Sequence, residues 1–110
     1  MTITAKQLWP ETQLTTSAAV FYLSSGNTIL KQVVFTNTDT ASRLITVYIV
    51  PNLGTANAAN IIIDALSIAP GQSYIAVELS NLVLITGDSV QCKADSGAVV
   101  NSIASGFVQV

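Results

Sequence analysis

Short runs rich in valine, isoleucine, threonine and aromatic residues follow one another along the chain, separated by clusters of glycine, asparagine, aspartate, serine and proline. This pattern is typical of the strands and turns of an all-β domain. The predicted strands are Ala18–Leu23, Thr28–Asn37, Arg43–Pro51, Asn60–Ile68, Gln72–Leu79, Leu82–Ile85, Asp88–Asp95 and Val99–Val110. We therefore expect a single antiparallel β-sandwich of about eight strands, jelly-roll-like or with another Greek-key arrangement.

Two of these strands alternate cleanly between apolar and polar positions, as strands with one buried and one solvated face do. The apolar faces are expected to comprise Val90, Cys92 and Ala94 in one strand and Ile75, Val77 and Leu79 in the other. For Cys92 this position indicates a small buried hydrophobic residue, because a reactive thiol needs a partly exposed, electropositive site.

The segment Leu44–Val50 departs from this alternation, because it is apolar on both faces. A strand of that kind needs cover on both sides. One side faces the core of the sandwich, and the other can be covered by a second layer, a loop or a neighbouring subunit. We favour a subunit, since 110 residues leave little chain for a third layer. The run Ile61–Ile63 has the same apolar character.

The N-terminal segment is polar and contains the dipeptide Trp9-Pro10. Proline disfavours helix at the residue before it. We therefore divide the chain into an extended N-terminal arm, residues 1–17, and a β-sandwich domain, residues 18–110. A lone tryptophan on such an arm either contacts a partner protein, since tryptophan is enriched at interface hot spots, or docks back onto its own sandwich. The sequence leaves both interpretations open.

Charged residues make up only 9% of the chain, whereas hydrophobic residues make up 50%. A typical globular domain carries about 25% charged residues. A surface with so few charges makes most sense if other protein covers much of it, so the sequence indicates a component of an assembly. The residues predicted to contact a partner are Trp9, Pro10, Leu44, Tyr48, Ile61 and Ile63.

The charge distribution and the lack of histidine argue against several classes of function. The net charge is −2 and the 4 basic residues are scattered singly, so we expect no nucleic-acid binding. No apolar run approaches the about 18 residues of a membrane span, so we expect no membrane contact. Without histidine there is no Ser-His-Asp or Cys-His system and no histidine-ligated zinc. We expect no enzymatic activity, no catalytic residue, no cofactor and no metal.

The start of the sequence and the single cysteine indicate where the chain is made. Residues 1–14 lack the basic segment and the following apolar segment of a secretory signal. One cysteine cannot form an intrachain disulfide, which fits a reducing compartment. Synthesis in the cytosol is therefore the expectation.

The carboxylates are expected to have local roles. Asp39, Asp88 and Asp95 lie at predicted turns, where aspartate side chains accept hydrogen bonds from nearby backbone. Asp64 stands among isoleucines, and we expect it to face solvent or to guard a sheet edge against misplaced pairing. An ion pair at an interface is the alternative for Asp64.

Several short motifs follow one another from the second predicted strand to the end of the chain. In order they are F-x-N-t-d, y-x-v-P, a-p-G, l-x-x-G-D-x-v and v-N, each next to a strand. The residues that carry them are Phe35, Asn37, Asp39, Tyr48, Val50, Pro51, Pro70, Gly71, Gly87, Asp88, Val100 and Asn101. In this series residues 18–110 resemble small β-sandwich virion proteins of tailed bacteriophages. Most of these residues lie at turns, so the motifs recur in proteins with different places in the virion.

The resemblance implies a structural protein located in the virion after synthesis in the host cytoplasm. One implied role is a head decoration, or cement, protein. It would assemble as a homotrimer, bind the major capsid protein or another virion protein and stabilise the expanded head, with Trp9 on the arm as a clamp. The other implied role is an accessory tail, baseplate or fibre component that contacts the host.

An alternative from a different class is a carbohydrate-binding or hydrolytic β-sandwich. Its sugar-binding surface would consist of Trp9, Tyr22 and Tyr74. This alternative predicts glycan binding that is lost when Trp9 or Tyr74 is replaced.

Overall fold

The computed structural model describes residues 2–109, and it is all-β across them, which confirms the predicted fold class. The strands are β1 (Ile3–Gln13), β2 (Ala19–Leu23), β3 (Thr28–Asn37), β4 (Arg43–Val50), β5 (Ile61–Ile68), β6 (Ser73–Ile75), β7 (Val83–Leu84), β8 (Ser89–Ala94) and β9 (Val100–Gln109). Two short 3-10 turns, Ala58–Asn60 and Val77–Leu79, lie between strands.

The strands form two antiparallel sheets with the core between them. Sheet A has the order β1-β9-β3-β6, with the two-residue β7 also paired to β3, and sheet B has the order β2-β8-β4-β5. The pairs β1·β9, β2·β8, β3·β6 and β4·β5 join the first half of the chain to the second half in reverse order. This is the doubled Greek key of a jelly roll, so the predicted arrangement is confirmed.

The N-terminal segment is a strand of the sandwich and not a separate arm. It is extended, as expected, but β1 pairs with β9 along almost its whole length. The division into an arm of residues 1–17 and a sandwich of residues 18–110 is therefore corrected, because the sandwich begins at Ile3. The physical reason is that β9 lies inside sheet A, where its backbone groups need hydrogen-bonding partners on both sides.

Two edge strands, β1 and β5, carry the features that discourage pairing with other strands. On β1, Pro10 lies among register shifts, and Lys6 and Glu11 are exposed. On β5, Asp64 is exposed as predicted, and the next residue, Ala65, has a φ of 48° at a register shift against β4. Such bulges and charges on edge strands block edge-to-edge association.

The core draws apolar side chains from both sheets. Fully buried residues include Leu14, Leu30, Val33, Phe35, Ile45, Val47, Leu79, Leu84, Val90 and Val100. Burying one such side chain stabilises the fold by about 1.5–3 kcal/mol. The predicted inward face of β8, with Val90, Cys92 and Ala94, is confirmed, since all three are buried.

The predicted strand Gln72–Leu79 ends early. After β6 the N–H of Ala76 still donates to a carbonyl of β3, and the chain then enters the 3-10 turn. Ile75 and Val77 are therefore 54% and 70% exposed, whereas Ala76 and Leu79 are buried. The predicted alternation of this segment is wrong, because the register of β6 pairs Ile75 with the outward Val34 and the following 3-10 turn ends the two-residue repeat.

Side chains of the F-x-N-t-d motif hold the turn between β3 and β4. Asn37 is fully buried, and its Nδ2 donates to two backbone carbonyls, both at 2.9 Å. Its Oδ1 accepts the N–H of Asp39, whose Oδ2 lies 2.6 Å from Nη2 of Arg43. The hydrogen bond from Arg43, followed by one from the N–H of Thr40, lowers the pKa of the Asp39 carboxyl.

The other two turn aspartates have similar roles. Oδ2 of Asp88 accepts the N–H of Ile85 at 3.2 Å, and Oδ1 of Asp95 accepts the N–H of Leu44 at 3.1 Å. The turn role predicted for Asp88 is confirmed, whereas Asp95 bonds to the backbone of β4 and not to its own turn. Asn37, Asp39 and Asp88 of the motifs therefore hold turns of the fold.

Candidate interaction surface

The outer face of sheet A consists of cross-strand rows of side chains that point away from the core. Residues within a row lie opposite one another in the register of β1, β9, β3 and β6 or β7. The first apolar row comprises Ala5, Phe107, Ile29 and Val83, the polar row comprises Gln7, Ser105 and Gln32, and the second apolar row comprises Ile103, Val34 and Ile75. The face is thus striped in the order apolar, polar, apolar.

The first apolar row is open to solvent in the single chain, and the second is partly open because Val34 and Ile103 are half-buried. In the first row, Phe107 and Ile29 are each 37% exposed and Val83 is 57% exposed, and Ile3, at 66%, extends the row towards the end of β1. In the second row, Ile75 is 54% exposed. Shallow depressions of about 190 and 300 Å³ lie over the first row and beside the second.

The three rows contain no aspartate, glutamate, lysine or arginine. On β9, β3 and β6 the next outward positions carry Asn101, Thr36 and Ser73, whereas on β1 the exposed Pro10 and Glu11 lie between Trp9 and Thr12, across from Ile103. Lys31 follows the first row on β3 at a bulge, and its Nζ donates to Oδ1 of Asn81 at 2.8 Å. The three rows are therefore uncharged, with Lys31 and Glu11 beside them.

The outer face of sheet B is different, because its central aromatic side chain is covered. Tyr48 is 7% exposed and lies opposite Gln91 on β8 and Ile61 on β5. The Nζ of Lys93 lies 5.9 Å from the centroid of the Tyr48 ring, within cation–π range. The 3-10 turn Ala58–Asn60 lies next to β4. The chain itself thus supplies most of the cover for this side of β4.

The expectation that a subunit covers the outer side of β4 is therefore corrected. Tyr48 is buried within the single chain, and Ile63, at 3% exposure opposite Val47, belongs to the core. Ile61 is half-buried. Leu44, at 40%, keeps a substantial exposed area.

Trp9 lies in the core, which decides between the two interpretations that the sequence left open. It is 2% exposed, and its Nε1 donates to Oγ of Ser102 at 3.1 Å. Its ring meets Phe21 edge-on, with centroids 5.7 Å apart and planes at 86°. Pro10, next to it, is exposed. The predicted clamp role of Trp9 is corrected, because its indole is buried against its own sandwich with its N–H satisfied.

The three residues of the predicted sugar-binding surface do not form an exposed aromatic platform. Trp9 is buried, and Tyr22 and Tyr74 are half-buried. The hydroxyl of Tyr22 lies 3.0 Å from Oγ1 of Thr28. The hydroxyl of Tyr74 donates to Oε1 of Glu78, and this bond, followed by partial burial, raises the pKa of Tyr74 to about 12.

Complete burial raises the pKa of the Cys92 thiol, which confirms its interpretation as a buried hydrophobic residue. Among residues 2–109, no three cysteine, aspartate or glutamate side chains are grouped closely enough to hold a metal ion. Within the same part of the chain, no helix has the length and apolar character to cross a membrane.

Three turns meet at one end of the sandwich and carry exposed leucine and isoleucine side chains. The N–H of Gly87, whose φ is 93°, donates to the carbonyl of Ser24 at 2.8 Å. A Cβ on Gly87 would lie 2.4 Å from Cγ of Asn52, so the turns of Gly87 and Asn52 are in direct contact. The apolar tip formed here comprises Leu23, Leu53 and Ile85, which are 64%, 97% and 60% exposed.

Sequence reasoning missed the outer face of sheet A, although β9 carried a signal for it. Ala104 and Val108 lie inward in this strand, and Ile103 and Phe107 lie outward. The strand is therefore apolar at positions on both faces, which is the signal that was noted for Leu44–Val50 but not here.

No protein-family model and no curated protein matches the chain. A search of solved structures finds a likeness to a chain in the structure of infectious bursal disease virus, Gx strain, with 12% sequence identity and a TM-score of 0.41. The match covers 96% of this chain and 30% of that chain. At this identity and TM-score the likeness carries no argument about fold or function.

Proposed function

We propose that this chain is a non-enzymatic structural protein of a virion, and specifically a head decoration protein of a tailed bacteriophage. The resemblance of residues 18–110 to small virion proteins supports the class of particle. The jelly roll is compatible with it, but the same fold also serves lectins and cupins, so the fold does not carry the proposal. The surface of the molecule carries it.

The observation that carries the proposal is the exposed outer face of sheet A, whose three rows contain no charged residue. Contiguous exposed apolar patches of more than a few hundred Å² are rare on monomeric proteins and mark interaction sites. The cores of protein interfaces are depleted of charged residues, as the three rows of this face are. A chain with this face is suited to a place inside a protein assembly.

In this proposal the apolar tip contacts the major capsid protein or another virion protein. Leu53 is 97% exposed and has a φ of 65°, and the packed turns beneath it hold the tip in place. Leu23 and Ile85 extend the exposed apolar area around Leu53. A protein that binds only the expanded lattice stabilises that lattice by mass action.

The test is co-sedimentation of the purified protein with expanded heads that lack it. We expect binding by the wild-type protein, and a loss of at least tenfold in affinity for Leu53→Glu. The matched control is Val77→Glu, which places the same charge at a 70% exposed apolar residue outside the tip. The control should bind like the wild type.

Failure of the wild-type protein to bind expanded heads would remove the decoration role. Mass analysis of separated heads and tails then decides whether the chain is a tail, baseplate or fibre component. If the chain is found in neither fraction, the virion proposal itself is wrong.

A further inference from the structure

We infer that the outer face of sheet A pairs with the same face of a second copy of this chain, and that the product is a closed twofold dimer. The inference deepens the proposed function, on which it rests, by naming a partner for this face. The argument depends on the stripes, the charge and the size of the face.

When two copies meet face to face, the apolar and polar rows of one copy are complementary to those of the other. Two identical faces in contact are related by a twofold axis that lies in the plane between them. If that axis runs along the strands, each row meets its own copy. If it runs along the rows, the first apolar row meets the second. In both cases apolar side chains meet apolar side chains, and the polar row meets the polar row.

The polar row is chemically suited to meet its own copy. Each glutamine side chain has an NH2 group with two donors and a carbonyl oxygen that accepts. The serine hydroxyl has one donor and two acceptor positions. Gln7 and Gln32 flank Ser105 in the register of the sheet, so an identical row can satisfy all three groups across the interface. A row of side chains that all carried the same charge would repel its own copy.

The charge distribution favours the face of sheet A over that of sheet B for self-association. In a twofold contact a charged residue near the axis meets its own copy, and juxtaposed like charges cost several kcal/mol. The rows of sheet A contain no charged residue, and Lys31, at the β3 bulge between two rows, donates through Nζ to Asn81 beside the edge strand β7. The outer face of sheet B carries Lys93 beside its centre, so the same kind of pairing there would bring two ammonium groups together.

The size of the face is sufficient for a weak dimer. Strands β1, β9 and β3, with the short β6 and β7 at the fourth position, are about 4.8 Å apart and extend over about eight residues at about 3.3 Å per residue, which gives a plane of at most roughly 500 Å². Corrugated side chains expose more area than their plane. Standard interfaces bury about 800 Å² per partner, and weaker ones bury less. Sheets that pack in this way cross at about 30°.

The predicted symmetry differs from the homotrimer expected from the resemblance. A face that matches itself is isologous and closes as a twofold dimer, whereas a trimer needs two different patches on each subunit. The stripes of sheet A provide a single patch that matches itself. Hence this face favours a dimer.

A cysteine placed at the centre of the polar row tests the inference directly. Ser105→Cys is treated with a short bis-maleimide at micromolar protein concentration, with Ser67→Cys, an exposed serine on β5 of sheet B, as the matched control. The native Cys92 is fully buried and does not compete for the reagent. We expect covalent dimer from Ser105→Cys, at least tenfold more than from Ser67→Cys. Adding Ile29→Glu to Ser105→Cys should abolish it.

Each outcome bears on the inference or on the proposed function separately. Equal yields from the two cysteine variants would overturn the inference, even if the protein still bound expanded heads. Cross-linking of Ser105→Cys to a different virion protein, without homodimer, would also overturn it. Efficient homodimer formation together with no binding to heads would support the inference and remove the decoration role.

Discussion

The outer faces of sheets A and B differ in how far their central apolar side chains are buried within the single chain. On sheet B, Tyr48 is only 7% exposed, because neighbouring strands, Lys93 and a 3-10 turn of the same chain surround it. On sheet A, Phe107 and Ile29 are both 37% exposed and lie in open rows. The central aromatic residues of the two faces therefore differ in burial, although Val20 on β2, opposite Gln91, is 58% exposed on the outer face of sheet B.

Apolar segments with little charge can be buried within the monomer or left exposed for a partner, and the sequence alone does not distinguish the two. Where the chain covers its own apolar side chains, as on sheet B, they stabilise the monomer. Where the side chains stay exposed and no charge interrupts them, as on sheet A, they are available to another molecule. Substitutions on sheet B should therefore lower the free energy of unfolding, and substitutions on sheet A should lower association.

The largest effect is expected for Trp9→Ala, which removes the anchor of β1. Loss of a buried tryptophan costs about 3–5 kcal/mol, and here it also leaves the Ser102 hydroxyl without its partner. Detachment of β1 would remove Ala5 and Gln7 from the outer face of sheet A and leave that of sheet B intact. Denaturant unfolding measures the loss. Pro10→Ala, at the exposed neighbouring position, is the control and should change stability by less than about 0.5 kcal/mol.

A paired substitution compares the two faces at their aromatic residues. Tyr48→Ala should lower the free energy of unfolding by about 3 kcal/mol, because the ring is buried. Phe107→Ala should lower it by only about 1 kcal/mol, because more than a third of that residue is exposed. Both are measured at a protein concentration low enough to keep the chain monomeric. Equal losses in the free energy of unfolding would contradict the claim that Tyr48 is buried by its own chain and Phe107 is not.

Acid should weaken the β3–β4 turn, which leads into sheet B. Because the Arg43 hydrogen bond lowers the pKa of Asp39 below its ordinary value of 3.8, this carboxylate stabilises the fold above that value. The contribution is lost as the pH falls through the lower pKa of the folded state. Asp39→Asn should therefore reduce stability at neutral pH and flatten the acid limb of the profile. Thermal unfolding between neutral and acidic pH checks this, and an unchanged acid limb would count against it.

The smallest effect is expected at Cys92, which lies under the covered face of sheet B. Because the thiol is fully buried and its pKa is raised, labelling by a thiol reagent should require unfolding of the chain. The labelling rate should therefore follow the unfolding equilibrium as denaturant is added. Rapid labelling of the native protein would show that sheet B is less well covered than its burial indicates.

The sequence predicted the fold class because the alternation and the turn residues are local signals. The boundaries of β3 agree fully with the prediction, and Asn37, Asp39 and Asp88 act at turns as expected. The end of β6 was missed because a 3-10 turn replaces the strand once Ala76 has bonded to β3. Sequence alternation alone does not reveal where a ladder stops.

The assignment of β1 could not be made from local signals. Its partner β9 lies at the other end of the chain, and its exposed polar residues suit both an edge strand and a free arm. The burial of Trp9 depends on that pairing, which places it opposite Ala104. The exposed face of sheet A likewise arises only when β1, β9 and β3 lie side by side, so its stripes are visible in the sheet and not in any one strand.

Sedimentation equilibrium over a range of protein concentrations tests the central claim most directly. We predict a reversible dimer for the wild-type protein, a monomer for Phe107→Glu on the outer face of sheet A, and a dimer of wild-type affinity for Leu44→Glu on the outer face of sheet B. A wild-type protein that stays monomeric up to millimolar concentration would contradict the claim. So would a dimer that Leu44→Glu disrupts and Phe107→Glu does not.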